Sequence, residues 1–191
     1  MIRDLRPALV ALVLLSLVTG VAYPLLVTSI AQAAFPDQAG GSLLRRDGRV
    51  IGSKLIAQPS ADPRYLWPRP SATGPEPWNA ASSSGSNLGP NSGELADQFA
   101  ERAAALRGAH PQFVGPLPVD MITASASGLD PHITPAAARL QITRIARARD
   151  LDPEVVAALI ETQVEPRTFG VLGERRVNVL ETNLALDALS P

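Results

Sequence analysis

The sequence predicts an α+β protein: one N-terminal transmembrane helix, then a small mixed domain with a β-hairpin, a long irregular segment and a helical C-terminal half. Three observations predict it. The positions from Pro7 to Ala34 carry no charged side chain, and a bilayer core takes about 20 apolar residues as a helix. Asp47-Gly48 stands between two strand-like runs. From Asn91 onward, apolar residues recur at helical spacing between capping residues.

The membrane helix is placed at residues 7–30, behind a flank of residues 1–6. Leu9, Val10, Leu12, Val13, Leu14, Leu15, Leu17 and Val18 form its body. Tyr23 and Phe35 suit the far interface, where aromatic rings prefer to lie. A secretory signal is the alternative. Met1 to Arg6 suits a basic n-region, Ala31-Gln32-Ala33 fits an A-x-A cleavage site, and Gly20 or Pro24 can end a shorter apolar region. The run exceeds the roughly 7–15 residues of a signal's apolar core, which favours a retained anchor. Arg3, Arg6 and the terminal amine flank the near side closely, whereas the first basic residues beyond it are Arg45 and Arg46. That asymmetry puts the N-terminus in the cytoplasm and residues 36–191, as a single α+β domain, on the extracytoplasmic side.

Roughly 155 residues after the anchor are enough for one domain with a real core. There is no cysteine, so disulfides, thiol nucleophiles and cysteine metal sites are excluded. Basic residues number 17 and acidic residues 18, a balance that suggests no nucleic acid partner.

Ser42 to Arg46 and Arg49 to Ser53 flank Asp47-Gly48, the sequence of a two-residue primed turn with both central φ values positive. Leu55-Ile56-Ala57 is expected to continue the second strand. Pro59 to Gly93 has a linker's composition, crowded with proline, serine, glycine and asparagine. It nevertheless holds Tyr65, Trp67 and Trp78, and disordered tethers are poor in large aromatics. The segment is read as ordered and irregular, with aromatics that dock onto the domain or a partner; a disordered tether is the alternative. Ser92 caps a helix with Leu95, Phe99, Ala103 and Leu106 on one face and Gly108 just past its end. Thr134-Pro135 starts a helix that runs to about Arg149. Asp152-Pro153-Glu154 starts the next, with Val156, Leu159, Ile160 and Val164 as its stripe. Val177 to Leu180 alternates like a strand, and Leu184, Leu186 and Leu189 end the chain in a short helix. Arg139, Arg144, Arg147 and Arg149 before a tight turn could suit a helix-turn-helix DNA reader. A plain αα-hairpin with solvated arginines is preferred, because the domain is exported and not basic.

No catalytic residue and no metal site is assigned. The P-loop pattern and a phosphorylated aspartate followed by lysine and threonine are both absent, since the only lysine, Lys54, precedes Leu55. Ser125-Ala126-Ser127-Gly128 lacks the first glycine of a nucleophile elbow, although Asp130 and His132 lie nearby. Two histidines, His110 and His132, without cysteine do not make a zinc site. His132 is given a capping or structural role before Thr134.

Three groups of segments carry a family resemblance. The first is Gly52-Ser53-Lys54-Leu55-Ile56 with Gln58. The second is Tyr65-Leu66-Trp67-Pro68-Arg69-Pro70-Ser71-Ala72 with Ser84-Gly85-Ser86-Asn87-Leu88-Gly89-Pro90. The third is Thr123 to Ile133 with Leu172 to Leu180 and Asn183 to Asp187. In this order, from anchor to C-terminus, they resemble the C subunit of the Kdp potassium-transporting ATPase. Trp78 departs from the pattern, since that family usually has a tyrosine before the asparagine, and the segment after Pro90 is short. The resemblance implies a non-catalytic accessory subunit of the bacterial inner membrane, with lipid around residues 7–30. Its implied partners are a P-type ATPase subunit that hydrolyses ATP and a channel-like subunit that binds potassium. Its implied roles are assembly and a catalytic chaperoning that raises the pump's affinity for ATP. No cofactor is held covalently, and ATP is expected only together with the pump subunit. The signature or docking candidates are Tyr65, Trp67, Arg69, Pro70, Asn87, Gly89, Pro90, Asp130, Pro131, His132, Asn178 and Asn183. If the domain faced the cytoplasm, the Ser/Gly turns could bind phosphate through backbone amides; Ser84, Gly85, Ser86, Asn87, Ser125, Ser127 and Gly128 are the candidates. An exported domain cannot touch cytoplasmic ATP, so its effect must pass through the partner.

Overall fold

The computed structural model describes residues 2–189; Met1, whose amine is counted in the flank, and Ser190 and Pro191, at the expected end of the domain, lie outside them. Helix α1 (Ile2–Leu17), a π-turn (Val18–Ala22) and α2 (Tyr23–Ala34) form one continuous helix, longer at both ends than 7–30. The stretch Arg3–Ala34 is long and apolar enough to cross a membrane. Neither Gly20 nor Pro24 ends it. Pro24 has no N–H for the Gly20 carbonyl, and the π-turn absorbs that irregularity just before it. Thr19 and Ser29 hydroxyls donate to the carbonyls of Leu15 and Leu25 at 2.7 and 2.8 Å, so neither polar group is left unpaired. A short α3 (Pro36–Ala39) follows.

The expected hairpin forms from β1 (Leu43–Arg46) and β2 (Arg49–Ser53). Asp47 and Gly48 have φ of 51° and 76°, the pair of positive values a primed turn needs. Leu55 to Ala57 do not extend β2. The chain turns instead, with the Ser53 side chain accepting from Leu55 N at 3.1 Å and the Ser53 carbonyl accepting from Ile56 N. The chain divides into two compact units, Met1–Ile51 and Gly52–Pro191.

In the second unit the expected caps hold. Ser92 accepts from Leu95 N to start α4 (Gly93–Ala109), Thr134 from Ala137 N to start α5 (Pro135–Leu140), and Asp152 from Glu154 N to start α7 (Pro153–Thr162). Other boundaries move. Helix α4 runs through Gly108. The helix expected to reach Arg149 without a break is interrupted at Gln141, and α6 (Ile142–Arg149) follows, ended by Asp150 at φ 54°. Val164 leaves the α7 stripe for β4 (Val164–Glu165). Strand β5 (Arg176–Asn178) stops two residues early, because the Asn178 side chain accepts from Glu181 N at 3.1 Å and starts α8 (Val179–Leu189).

The sheet joining these helices is not foreseen by the sequence reading. It is antiparallel, with β3 (His132–Ile133) and β4 on either side of β5, pairing Ile133 and Val164 with Val177. Helix α7 packs on α5, α6 and α8. The core beneath is Ile133, Ala137, Ala138, Leu140, Ile145, Val156, Ile160, Val177 and Leu186. Leu66, from the irregular segment, is wholly buried in it. The tether alternative for that segment is therefore overturned.

Candidate functional site

Residues 62–70 form a strap held by side chains of α5–α6 and α8. Two side-chain amides grip successive backbone units. Asn183 accepts from Leu66 N at 2.7 Å and donates to Leu66 O at 3.0 Å. Gln141 accepts from Trp67 N at 2.8 Å and donates to Trp67 O at 3.3 Å. Each pairing imitates a strand partner, satisfying polar groups beside the core that would be costly if left unpaired. The break at Gln141 sits where its side chain turns inward, fully buried.

Two arginines of α6 gather the strap's carbonyls. Arg144 donates to Pro63 O, Tyr65 O, the Gln141 amide oxygen and His110 Nε2, and its guanidinium lies 3.9 Å from the Trp67 ring centroid. Burial pulls its pKa down to about 10, so it stays charged at neutral pH. Arg149 donates to Arg64 O and Leu186 O, pairs with Asp187 at 3.0 Å and stacks over Tyr65. Tyr65 donates to the same Asp187 at 2.8 Å, which raises the phenol's pKa. At the strap's start, the hydrogen bond from Arg64 lowers the exposed Asp62 carboxyl to about 2.

The strap continues into a polar layer. Arg69 pairs with Asp130 at 2.9 Å, and Asp130 also accepts from His132 N at 3.0 Å. Burial opposes ionisation of Asp130, yet the His132 and Arg69 bonds hold its pKa below the ordinary carboxylate value. His132 lies in β3 rather than capping a helix; its ring faces Asp130 at 3.6 Å and Glu165 at 3.9 Å. Asn178 ties the turn at Lys54 to β5, donating to Lys54 O at 2.8 Å. Val179 N donates to Pro131 O.

The two Ser/Gly turns meet each other. Ser84 N donates to Ser127 O at 3.0 Å, and Gly85 lies so close that a Cβ there would meet Ala126 O at 3.0 Å. Gly128, at φ +67°, has no room for a Cβ beside Thr73 and Ser84 O. The amides of Gly128 and Leu129 donate to Ser125 and Ser127 hydroxyls, and the Ser71 hydroxyl donates to Gly128 O. Ser125, Ser127, Arg69, Asp130 and Pro131 border a cleft of about 550 Å³ with Leu55 and Ile56. Asn87, Gly89 and Pro90 are exposed, Asn87 at φ 54°. Pro70 lines a separate apolar cleft with Trp67, Trp78 and Met121. Gln141, Arg144, Arg149 and Asp187 were not singled out as site residues from the sequence. Helical spacing marks Gln141 as an interior position, Arg144 and Arg149 stand in the sequence only among the basic residues of a helix, Asp187 only ends a family segment, and the solvated-arginine expectation fails for Arg144 and Arg149.

Residues 5–188 match the family described as K+-transporting ATPase, c chain. The chain belongs to the KdpC family. The protein named potassium-transporting ATPase KdpC subunit in Methylococcus capsulatus is 56% identical over 189 residues, covering 99% of this chain and 100% of the relative. Proteins of the same name from Sorangium cellulosum and Burkholderia cenocepacia are each 57% identical, covering 98% and 96% of this chain and 98% and 95% of their own lengths.

In this KdpC chain, His110 joins α4 to the strap. It is buried, with Nδ1 2.9 Å from Leu106 O and Nε2 accepting from Arg144 Nε at 3.1 Å. Burial pushes its pKa below 6.5; the Leu106 bond opposes that, and the Arg144 charge adds to it. The folded chain then binds fewer protons here than the unfolded one. The stabilisation is complete above about pH 6.5 and is lost as pH falls through that value toward the folded pKa. The thermal midpoint of the purified chain is expected to fall between about pH 7.5 and pH 5.5. In a His110→Gln variant, whose amide can accept the Arg144 bond without titrating, that drop should shrink.

Proposed function

We propose that this chain is the single-span, non-catalytic accessory subunit of an ATP-driven potassium uptake complex in the bacterial inner membrane. The observation that carries this reading is the family match across residues 5–188, which takes in the apolar helix as well as the domain. Its partners are the ATP-hydrolysing P-type subunit and the channel-like, potassium-binding subunit, with lipid around residues 7–30. The N-terminus lies in the cytoplasm and the domain outside, following the charge asymmetry across the helix. The accessory role is assembly, together with a chaperoning that raises the pump subunit's affinity for ATP. With the domain outside, that influence passes through partner conformations rather than through contact with nucleotide.

Purification of the tagged chain in mild detergent from potassium-starved cells tests this. A P-type ATPase and a multi-span potassium-binding subunit should come with it; recovery of the chain alone would reject the reading. A second measurement tests the indirect route. Replacing Ser86 and Asn87 by alanine should leave the ATP KM of the assembled pump within about twofold of the parent. A larger rise would place these residues at the nucleotide and the domain in the cytoplasm.

A further inference from the structure

Between α5–α6, Pro63 of the strap and Phe113 lies a cleft of about 400 Å³. Three arginines line it, Arg139, Arg144 and Arg147, and among the described residues no carboxylate does. Their countercharges are few. Arg144 donates, among the described residues, to neutral acceptors alone: the Pro63 and Tyr65 carbonyls, the Gln141 amide oxygen and His110 Nε2. Asp62, whose charge reaches Arg144, is itself paired with Arg64 at 2.7 Å. Arg139 pairs with Glu161 at 2.8 Å, but Glu161 also serves Arg175 at 3.0 Å. Arg147 is exposed and has no hydrogen bond or ion pair among the described residues. The cleft is thus positive in a chain whose net charge is -1.

Charge decides the sign of the occupant. Arg144 and Arg147 stand one helical turn apart on α6, so their guanidinium forks share a face and suit the paired oxygens of a carboxylate. Burial already penalises the Arg144 charge, and an anion beside it offsets that penalty. The apolar lining decides the size. Phe113 and Leu140 form walls of the cleft, and the apolar strip runs on past Phe113 to Val114, which is 96% exposed. A small-molecule site closes around most of its ligand. Here one arginine stands exposed at the rim and the strip continues outside, an arrangement suited to a polypeptide. Arginine and aromatic side chains are enriched at such protein contacts.

We propose that this cleft receives an acidic segment of a partner protein in the potassium-transporting complex, with one aspartate or glutamate carboxylate between Arg144 and Arg147 and an apolar side chain of the same segment against Phe113 and Val114. This rests on the accessory-subunit reading above. The test places the photoreactive p-benzoylphenylalanine at Val114 of the full chain, assembled in its native membrane, and maps the adducts formed on irradiation. An adduct on a partner segment that carries an aspartate or glutamate is expected. Adding Arg147→Glu should cut the adduct yield about tenfold, while the chain's thermal midpoint stays within about 2 °C of the parent, because Arg147 is exposed. Exchanging the partner carboxylate for arginine should then restore the yield, since the pair is rebuilt with its charges reversed. Adducts only with lipid, only with a second copy of this chain, or none at all would overturn the proposal. So would an unchanged yield with Arg147→Glu, or a loss that no exchange of a carboxylate in the mapped segment repairs. If the unaltered tagged chain brings down no other subunit, the accessory-subunit reading fails and this proposal falls with it. If it brings them down and Val114 forms no adduct with them, only the assignment of the cleft is wrong.

Discussion

Replacing Gln141 with alanine is expected to destabilise the domain by about 4 kcal/mol. The Gln141 side chain is fully buried. It accepts from Trp67 N and Arg144 Nη2 and donates to Trp67 O and Ala137 O. Alanine leaves a donor and an acceptor of Trp67 unpaired beside the core, each costing about 1–3 kcal/mol. It also leaves a cavity next to Met121, whose sulfur lies 3.9 Å from the Gln141 amide nitrogen, and an unfilled cavity adds its own cost. Arg144 loses one of four acceptors but keeps the others, so its charge remains compensated. Urea unfolding of the detergent-purified chain, followed by tryptophan fluorescence, measures the effect. Both tryptophans, Trp67 and Trp78, lie in the irregular segment, so the signal reports its release directly. A loss under about 1 kcal/mol would mean that the strap is held mainly by its aromatic contacts.

What the sequence made visible was local. Asp47-Gly48 defines its turn because the two residues themselves tolerate positive φ. Ser92, Thr134 and Asp152 define helix starts because a cap bonds an amide two or three residues away. The aromatics of the irregular segment announced order by composition, and the membrane helix by length. Longer-range features were hidden. The three-stranded sheet has strands of two and three residues, too short for an alternating pattern, and its pairs join residues 132–133 and 164–165 to residues 176–178. The strap's clamps span 74 residues at Gln141 and 117 at Asn183; in sequence each amide resembles an ordinary polar residue on a helix. Asn178 looked like the second residue of a four-residue strand. Its side chain serves as the helix cap, and that shortens the strand. The family signatures Tyr65, Trp67, Arg69, Asp130, Asn178 and Asn183 are thus bound up in holding the domain together. Asn87, Gly89 and Pro90 are exposed by contrast.

Replacing Arg149 with methionine is expected to cost about 3 kcal/mol. The side chain is only 4% exposed and its partner Asp187 only 20%, so solvent screens this pair less than the surface pairs such as Arg139–Glu161. Methionine fills much of the volume but removes the charge. It leaves Asp187 bonded to the Tyr65 hydroxyl and leaves the Arg64 and Leu186 carbonyls without the guanidinium donors. Breaking a shielded ion pair from one side costs more than removing both charges. The double variant Arg149→Met, Asp187→Asn should therefore be less destabilised than the sum of the single variants, by about 1 kcal/mol or more. Arg149→Lys should recover only part of the loss, because an ammonium cannot reproduce the planar fork that reaches two carbonyls and a carboxylate at once. Additive single losses would instead show that Arg149 acts through its carbonyl bonds and its stacking on Tyr65, with the Asp187 charge as a bystander. The same unfolding measurement gives either answer, and it decides whether charge or backbone satisfaction fixes the strap at its Tyr65 end.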